Sequence, residues 1–423
     1  MIWLVPLLFA FFLMGIPITF SLGVAAVVGL LLTGTPLVVI VQKLWTAVDT
    51  FPLVAVPLFI LAGDIMSVGG ITRRLVDFAQ ALVGHLTSGL AMVAVVACMF
   101  FAAVSGSAIA DAAAIGGLLI PAMVANRYHA PFSASLVAAA GTIGPIIPPS
   151  IPMVLYGVMT NTSIAKLFAG GFLPGVLMGL GLMIYSYYIG KQRGYVGREQ
   201  RANMREILRG LINALLAMIM PIIIIGGIIG GIFTPTESGV IAVVYALLLG
   251  LFVYRELSWR DLPQLLYATG FLSGKILFIL GTASIFSFLL TVEGIPQQVT
   301  NAIASLNPSW FTMLLFINIV LLIVGTFLDT ISALFIFTPL LLPMAMAVGV
   351  DPVHFGIIMS VNLTIGMITP PVGVVLFVTA GIAKLSIREM MRDLTPMIAV
   401  LIVALAITTY WPDMVMWIPR MLR

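Results

Sequence analysis

The sequence predicts an all-α polytopic membrane protein built as two repeats of inverted topology. Three observations predict it. The chain has 423 residues, of which 61% are hydrophobic and 8% charged, where a soluble domain carries about a quarter charged residues. Its apolar residues run in long unbroken blocks. An eight-residue polar-and-proline pattern occurs twice, once in each half.

Nineteen Lys and Arg, fifteen Asp and Glu and three His cannot clothe a soluble protein of this length. A soluble enzyme, a disordered chain and a nucleic-acid-binding domain are excluded on that ground. The basic balance sits in a few short loops and forms no stripe. A single cysteine, Cys98, excludes a disulfide framework and a cysteine metal site. Long apolar runs, in place of short alternating ones, exclude a transmembrane β-barrel. Met1 to Leu4 carries no basic leader, so the chain is expected to open directly into a membrane helix.

Taken in order, the apolar blocks are 2–33, 52–68, 86–104, 108–125, 131–159, 170–190, 211–233, 237–254, 271–292, 309–327, 331–348, 353–383 and 395–411. Block 2–33 reads as two short helices broken at Gly15-Ile16-Pro17, which pairs Pro17 with Pro235. Residues 36–51 and 71–84 are amphipathic and read as interface-lying helices. Lys191 to Arg209 is rich in Lys and Arg and is expected on the cytoplasmic side. It divides the chain into a first repeat at 1–190, a basic linker at 191–210 and a second repeat at 211–423.

Thr142-Ile143-Gly144-Pro145-Ile146-Ile147-Pro148-Pro149 aligns with Thr364-Ile365-Gly366-Met367-Ile368-Thr369-Pro370-Pro371. The same register puts Pro121 on Pro343 and Ser107 on Asp329. Gly70 to Arg74 meets Gly294 to Gln298 with a small drift. Basic loops in one half have less basic twins in the other: Arg73-Arg74 against Gln297-Gln298, Arg127 against Asp351, and Lys384 with Arg388 against Thr162 with Lys166. Twins that face opposite sides of a membrane would show this. Arg420 and Arg423 strain the scheme, because an inverted second half ends outside.

The diprolines remove backbone donors and exclude regular helix just before them, so 131–159 and 353–383 are predicted as interrupted helices. The freed carbonyls, with nearby hydroxyls, suit a hard cation such as Na⁺. Blocks 86–104 and 108–125, and 309–327 and 331–348, are joined by turns too short and too weakly charged to be solvated loops. Each pair reads as a re-entrant hairpin. Its second arm starts at a polar cap, Ser107 in one case and Asp329 or Thr330 in the other, and offers free N–H groups to an anion. Asp111 shares the face of Ser107 one turn on. Carboxylates at membrane depth are costly, so Asp111 and Asp329 are candidates for direct ion or substrate binding. Asp64, Glu237 and Glu293 lie nearer block ends and read as interface residues; Lys275 reads as a snorkelling side chain. An intramembrane hydrolase using Ser105 or Ser107 would need a base, and His85, His129 and His354 all sit at block ends.

At these residues the chain resembles the large membrane subunit of tripartite ATP-independent periplasmic (TRAP) transporters, the DctM-type permeases. The pieces are V-S-G-S-A at 104–108, A-A-I-G at 113–116, G-T-I-G-P-I-I-P-P-S-I at 141–151, G-G-F-L-P-G at 170–175, F-L-D-T at 327–330, D-P-V-H-F-G-I at 351–357 and T-P-P-V-G at 369–373. The resemblance implies an Na⁺-driven secondary transporter of the bacterial inner membrane, working as an elevator. It implies a periplasmic binding protein that delivers an organic acid and a small four-helix membrane subunit beside the large one. Carried over by motif, one sodium site would use Ser105, Ser107, Gly144, Ile147 and Pro149, and a second Gly325, Leu328, Gly366, Thr369 and Val372. The substrate carboxylate would meet Ser107, Asp111, Asp329 and Thr330. A stand-alone ion-coupled organic-anion transporter or antiporter of related fold is the alternative.

Overall fold

The computed structural model describes residues 4–198, 201–295, 297, 298 and 308–422. The expectations placed on Met1 to Trp3, Pro296 and Arg423 fall outside them. The described residues form helices and connectors, with no strand among them. Block 2–33 is two helices, α1 (Leu4–Leu13) and α2 (Ile18–Thr33), parted where Gly15 takes φ +79° and Pro17 caps α2. After α3 (Val38–Val48) a 3₁₀ turn leads into α4 (Ala55–Val68) and the amphipathic α5 (Ile71–Val83). The first hairpin is α6 (Gly89–Ser105) and α7 (Ala108–Ala125). The first interrupted helix is α8 (Ala130–Gly141) and α9 (Ile151–Thr160), followed by α10 (Ile164–Arg193).

The second half repeats this order. It comprises α11 (Met204–Ile229), α12 (Pro235–Leu248), which runs on through a π turn to Val253, and α13 (Leu262–Val292). The second hairpin is α14 (Trp310–Phe327) and α15 (Thr330–Ala347), and the second interrupted helix is α16 (Pro352–Gly366) and α17 (Val374–Ala383). The chain closes with α18 (Ile387–Tyr410) and the short α19 (Pro412–Met421). Among the described residues nine helices are long and apolar enough to cross a membrane. The connector between the halves is shorter than the basic stretch 191–210. Lys191 and Arg193 lie in the last turn of α10, where positive charge complements the free carbonyls, and Glu206 lies in the first turn of α11.

Contacts at the helix ends settle which face each hairpin enters from. Tyr195, just past α10, touches both feet of the first hairpin: its carbonyl accepts from Ser88 N at 3.0 Å and its hydroxyl from His129 N at 3.1 Å. Both feet therefore lie on the face of the basic linker. Asp393, near the start of α18, pairs with Arg193 and so lies on that face too. The far end of α18 holds the second hairpin. Tyr410 donates to the Phe311 carbonyl, and the Thr408 carbonyl meets His354 Nε2 at 2.9 Å, just beyond the foot of α15. The second hairpin therefore enters from the opposite face, and the repeat is inverted. Arg420 ends up on that opposite face as a paired charge, held by Asp413 at 2.5 Å on α19.

Packing follows the same symmetry. Helix α2 lies along α13 and α4 along α12, each pair crossing between the halves. Gly239 lets α12 close on Leu58 of α4, since a Cβ there would stand 2.8 Å from the Leu58 Cβ. The hairpins and interrupted helices interlock: α17 packs on α7 and α8, and α9 on α15 and α16. Large apolar side chains such as Ile184, Ile222 and Phe271 stay exposed on the outer surface, as a lipid-facing wall requires.

The Arg193–Asp393 pair ties the end of α10 to α18 with the Asp393 side chain only 8% exposed. Removing one partner strands the other charge. Arg193→Met or Asp393→Leu is expected to cost about 2 kcal/mol, and the double variant less than the sum. Thermal unfolding in detergent reads this, and strictly additive losses would show that the two charges do not couple.

Candidate functional site

The first interrupted helix stops at Gly141, and the break runs on through Pro148-Pro149, whose peptide bond is cis. Residues 142–147 wind on through tight turns, with Gly144 N bonding Gly141 O and Ile146 N bonding Ile143 O. Ser150 then caps α9 by accepting from Met153 N and donates back to the Pro145 carbonyl. The carbonyl oxygens of Gly144, Ile146, Ile147, Pro148 and Pro149 accept no hydrogen bond among the described residues. All of these residues are buried.

The tip of the first hairpin sits on this break. Gly106, at φ +62°, approaches so closely that a Cβ on it would stand 2.5 Å from the Pro149 carbonyl. Ser107 caps α7, accepting from Ala110 N at 3.4 Å, and its own N–H donates to Ser105 Oγ at 3.2 Å. Ser105 Oγ in turn donates to Asp111 Oδ1. Asp111 is 0% exposed, and its Oδ2 is without a hydrogen-bond partner. That oxygen faces the break: a Cβ on Gly144 would stand 2.6 Å from it. No ion pair to Asp111 exists among the described residues. The structure thus brings Ser105, Ser107, Asp111, Gly144 and Pro149 into one cluster. Asp111, a candidate for ion or substrate binding, stands with the residues expected to hold the cation.

The second break repeats the design more openly. Thr369 N bonds Gly366 O, and Val375 N reaches back to Met367 O at 3.1 Å. The carbonyls of Ile368 to Val372 accept no hydrogen bond among the described residues, the Pro370–Pro371 bond is cis, and Pro371 is exposed. The backbones of tip and break meet at two glycines: a Cβ on Gly366 would stand 2.5 Å from Gly325 Cα. Val372 N bonds Thr326 O at 3.3 Å. Leu328 N stays with Val324 O, and the Thr369 hydroxyl with Ile365 O at 2.9 Å. Asp329 caps α15 through Ser332 N at 3.2 Å and Ser332 Oγ at 2.6 Å. Thr330 Oγ1 is buried without a partner. Ile147, by contrast, turns its side chain towards Gly175 and can serve the first cluster only through its backbone.

The breaks and tips place four helix starts (α7, α9, α15, α17) and four helix ends (α6, α8, α14, α16) close to two points. Carbonyl-bearing ends suit a cation, and starts suit an anion. Sequence reasoning did not find Asn318 and Asn362, which brace α14 on α16: Asn362 Nδ2 donates to Asn318 Oδ1 at 2.8 Å and to its carbonyl at 3.0 Å. Nothing local marks them, since the partners are far apart in the chain. The block-end carboxylates do local work. Glu237 closes a capping box with Thr234, and Asp64 accepts from Thr269 at 3.2 Å. Lys275 is exposed on α13. Ser105 is committed to Asp111, and His354 to α18, so no serine–histidine pair forms among these residues.

The glycine contact at the second break is open to test. Gly366→Ala drives a methyl into backbone and is expected to cost about 2 kcal/mol or more, whereas Gly117→Ala, which meets open space on α7, should stay within about 1 kcal/mol of the parent. Equal melting temperatures for the two variants would contradict the close approach.

The chain matches the family model described as "Tripartite ATP-independent periplasmic transporter, DctM component" over residues 5–414. It is 44% identical over 97% of its length to the isethionate TRAP transporter permease protein DctMQ of Oleidesulfovibrio alaskensis, and spans 66% of that longer protein. It is 41% identical to the C4-dicarboxylate large permease DctM of Pseudomonas aeruginosa, covering 90% of this chain and 89% of that one. It is 39% identical to the sialic acid large permease SiaM of Vibrio cholerae, covering 99% and 97%. In fold it is similar to the YdaH transporter of Alcanivorax borkumensis, at TM-score 0.63 and 13% identity over 90% of this chain and 88% of that one. Two interlocked hairpin-and-break units in an all-helical membrane fold, with this family match along nearly the whole sequence, place the chain in the DctM family of TRAP transporter large permeases, a family of transport proteins and not of enzymes.

Proposed function

We propose that this subunit imports an organic acid by Na⁺-coupled secondary transport, as the large permease of a three-part system in a bacterial inner membrane. The observation that carries the reading is Asp111. A fully buried carboxylate with one oxygen on Ser105 and the other unpartnered needs a positive charge beside it or a proton. Gly144 stands against that oxygen, and the carbonyls of Gly144, Ile146, Ile147, Pro148 and Pro149 at the same break accept no hydrogen bond among the described residues. Oxygen atoms alone, from carbonyls, hydroxyls and one carboxylate, fit a hard cation.

Ser105, Ser107, Gly144, Ile147 and Pro149 would hold one Na⁺, and Gly325, Leu328, Gly366, Thr369 and Val372 a second, largely through backbone oxygens. Each cation supplies positive charge at a break. The residues themselves join tip to break, so that Ser107, Asp329 and Thr330 are ordered for a carboxylate at the helix starts. Cation and acid then strengthen each other's binding by reciprocal linkage. Interlocking of both hairpins with both interrupted helices supports their moving as one body past α2, α4, α12 and α13, an elevator motion. The basic linker puts its own face in the cytoplasm and the other towards the periplasm. There a binding protein would deliver the acid, and a small four-helix membrane subunit would brace the scaffold. Relatives named for isethionate, C4-dicarboxylate and sialic acid transport all carry acids, and this chain's substrate belongs to that class.

Uptake into proteoliposomes holding this chain and its small subunit tests the reading, with binding protein and acid outside. Replacing Na⁺ by K⁺ should abolish uptake, and Asp111→Asn should weaken the Na⁺ dependence by about tenfold or more, the value of a charged contact. Equal uptake in Na⁺ and K⁺ would remove sodium coupling. Full uptake without the binding protein would favour a stand-alone transporter.

A further inference from the structure

We infer a second, shallower anion site outside the two breaks: a vestibule of about 390 Å³ between α3, α9 and α13, with Lys43 as its charge. The helix order sets its side. Helix α10 runs from the basic linker across to Ile164, so the end of α9 at Val158 and Met159 lies on the opposite face. Helices α11 and α12 cross and return, so α13 ends at Thr291 on that same opposite face. Val158, Met159 and Thr291 all line the vestibule, and the two routes agree.

Its chemistry is one-sided. Lys43 is the one charged side chain lining it, and no carboxylate does so among the described residues. The Lys43 ammonium rests over the Phe288 ring at 4.6 Å from the centroid. This contact holds its position without neutralising it. Ser284 and Ser287 stand one turn apart on α13, and among the described residues their hydroxyls donate no hydrogen bond and the buried Thr50 Oγ1 has no partner. Thr46 and Thr291 instead donate to their own helices, at 2.8 Å each. One cation and three hydroxyls line the vestibule from two stretches of the chain, α3 with the turn after it and α13. That set fits a group with several acceptor oxygens and a negative charge, a carboxylate or a sulfonate. The vestibule lies between α13 of the scaffold and α9 of the first interrupted helix, so an acid held by Lys43 waits beside the body that would carry it. Its role rests on the transport reading above; its chemistry does not.

Thiol labelling tests the site without a known substrate. In a Cys98→Ala background, Ser287→Cys places one thiol in the vestibule of the full-length chain, in membrane vesicles of either orientation. The probes are 2-sulfonatoethyl methanethiosulfonate, an anion, and its trimethylammonium counterpart. The anionic reagent should react from the face opposite the basic linker. Lys43→Gln should slow it about threefold and speed the cation by about the same factor, the effect of one charge several ångströms away in a watery medium. Lys43→Arg should keep the anion's rate, which separates charge from misfolding. Rates that ignore Lys43→Gln, or labelling only from the linker face, would overturn the vestibule, even with Na⁺-dependent uptake intact. Failure of Na⁺ dependence would leave these rates untouched.

Discussion

Backbone oxygens without partners, held at membrane depth, are the constraint on which the rest of this structure depends. In lipid an unsatisfied carbonyl is costly, so spanning segments are normally unbroken helices. Here each half breaks its helix at a diproline and leaves carbonyls that accept no hydrogen bond among the described residues: Gly144 and Ile146 to Pro149 in one half, Ile368 to Val372 in the other. Such groups persist only inside a protein shell or beside a polar ligand. The hairpins provide the shell. Each inserts from one face only as far as its break, and each does so through a glycine contact that admits no side chain, Gly106 on Pro149 and Gly325 on Gly366.

The two halves share this plan but differ in charge and exposure. The first break is wholly buried and has Asp111, whose second oxygen is free. The second has no such carboxylate: its acid, Asp329, spends both oxygens on Ser332 as a helix cap. It has instead an open edge at Pro371 and a brace of Asn318 and Asn362. A buried, charged site is suited to taking a cation firmly, and a less charged, more open one to adding another ligand beside it. Symmetry thus supplies two copies of one backbone device, and side chains divide the work between them.

Much of this was legible in the sequence because it is local. Two adjacent prolines remove backbone donors and bar regular helix just before them, so both interruptions could be placed within a few residues. Short, weakly charged turns marked the hairpin tips; Ser107 was readable as one cap and Asp329 or Thr330 as the other, and Asp329 is the one that caps α15. The inversion was readable too, since loop charge reports the side of the membrane. What was hidden depends on residues meeting from far along the chain. Nothing near Asp111 says that it faces Gly144, and nothing near Lys43 says that Ser284 and Ser287 stand beside it. The linker's limits also shifted, because its first and last basic residues extend helices on either side.

The two kinds of anion-suited site differ in what holds them, and this orders them along a path. At the breaks, the donors are helix starts fixed by backbone geometry, and in the proposed mechanism a cation completes them, so that anion binding there would depend on the state of tip and break together. In the vestibule, the donors are side chains on helices that need no rearrangement, and the positive charge is built in. A site of the second kind would fill and empty with little structural consequence; one of the first kind would couple its occupancy to the hairpins and interrupted helices proposed to move. Under the proposed elevator, a permanent lysine facing α13 and a cation taken up at the breaks are therefore not interchangeable. Were the permanent charge on the moving body, the acid would stay bound when the cations left, and release would lose its link to the ion gradient.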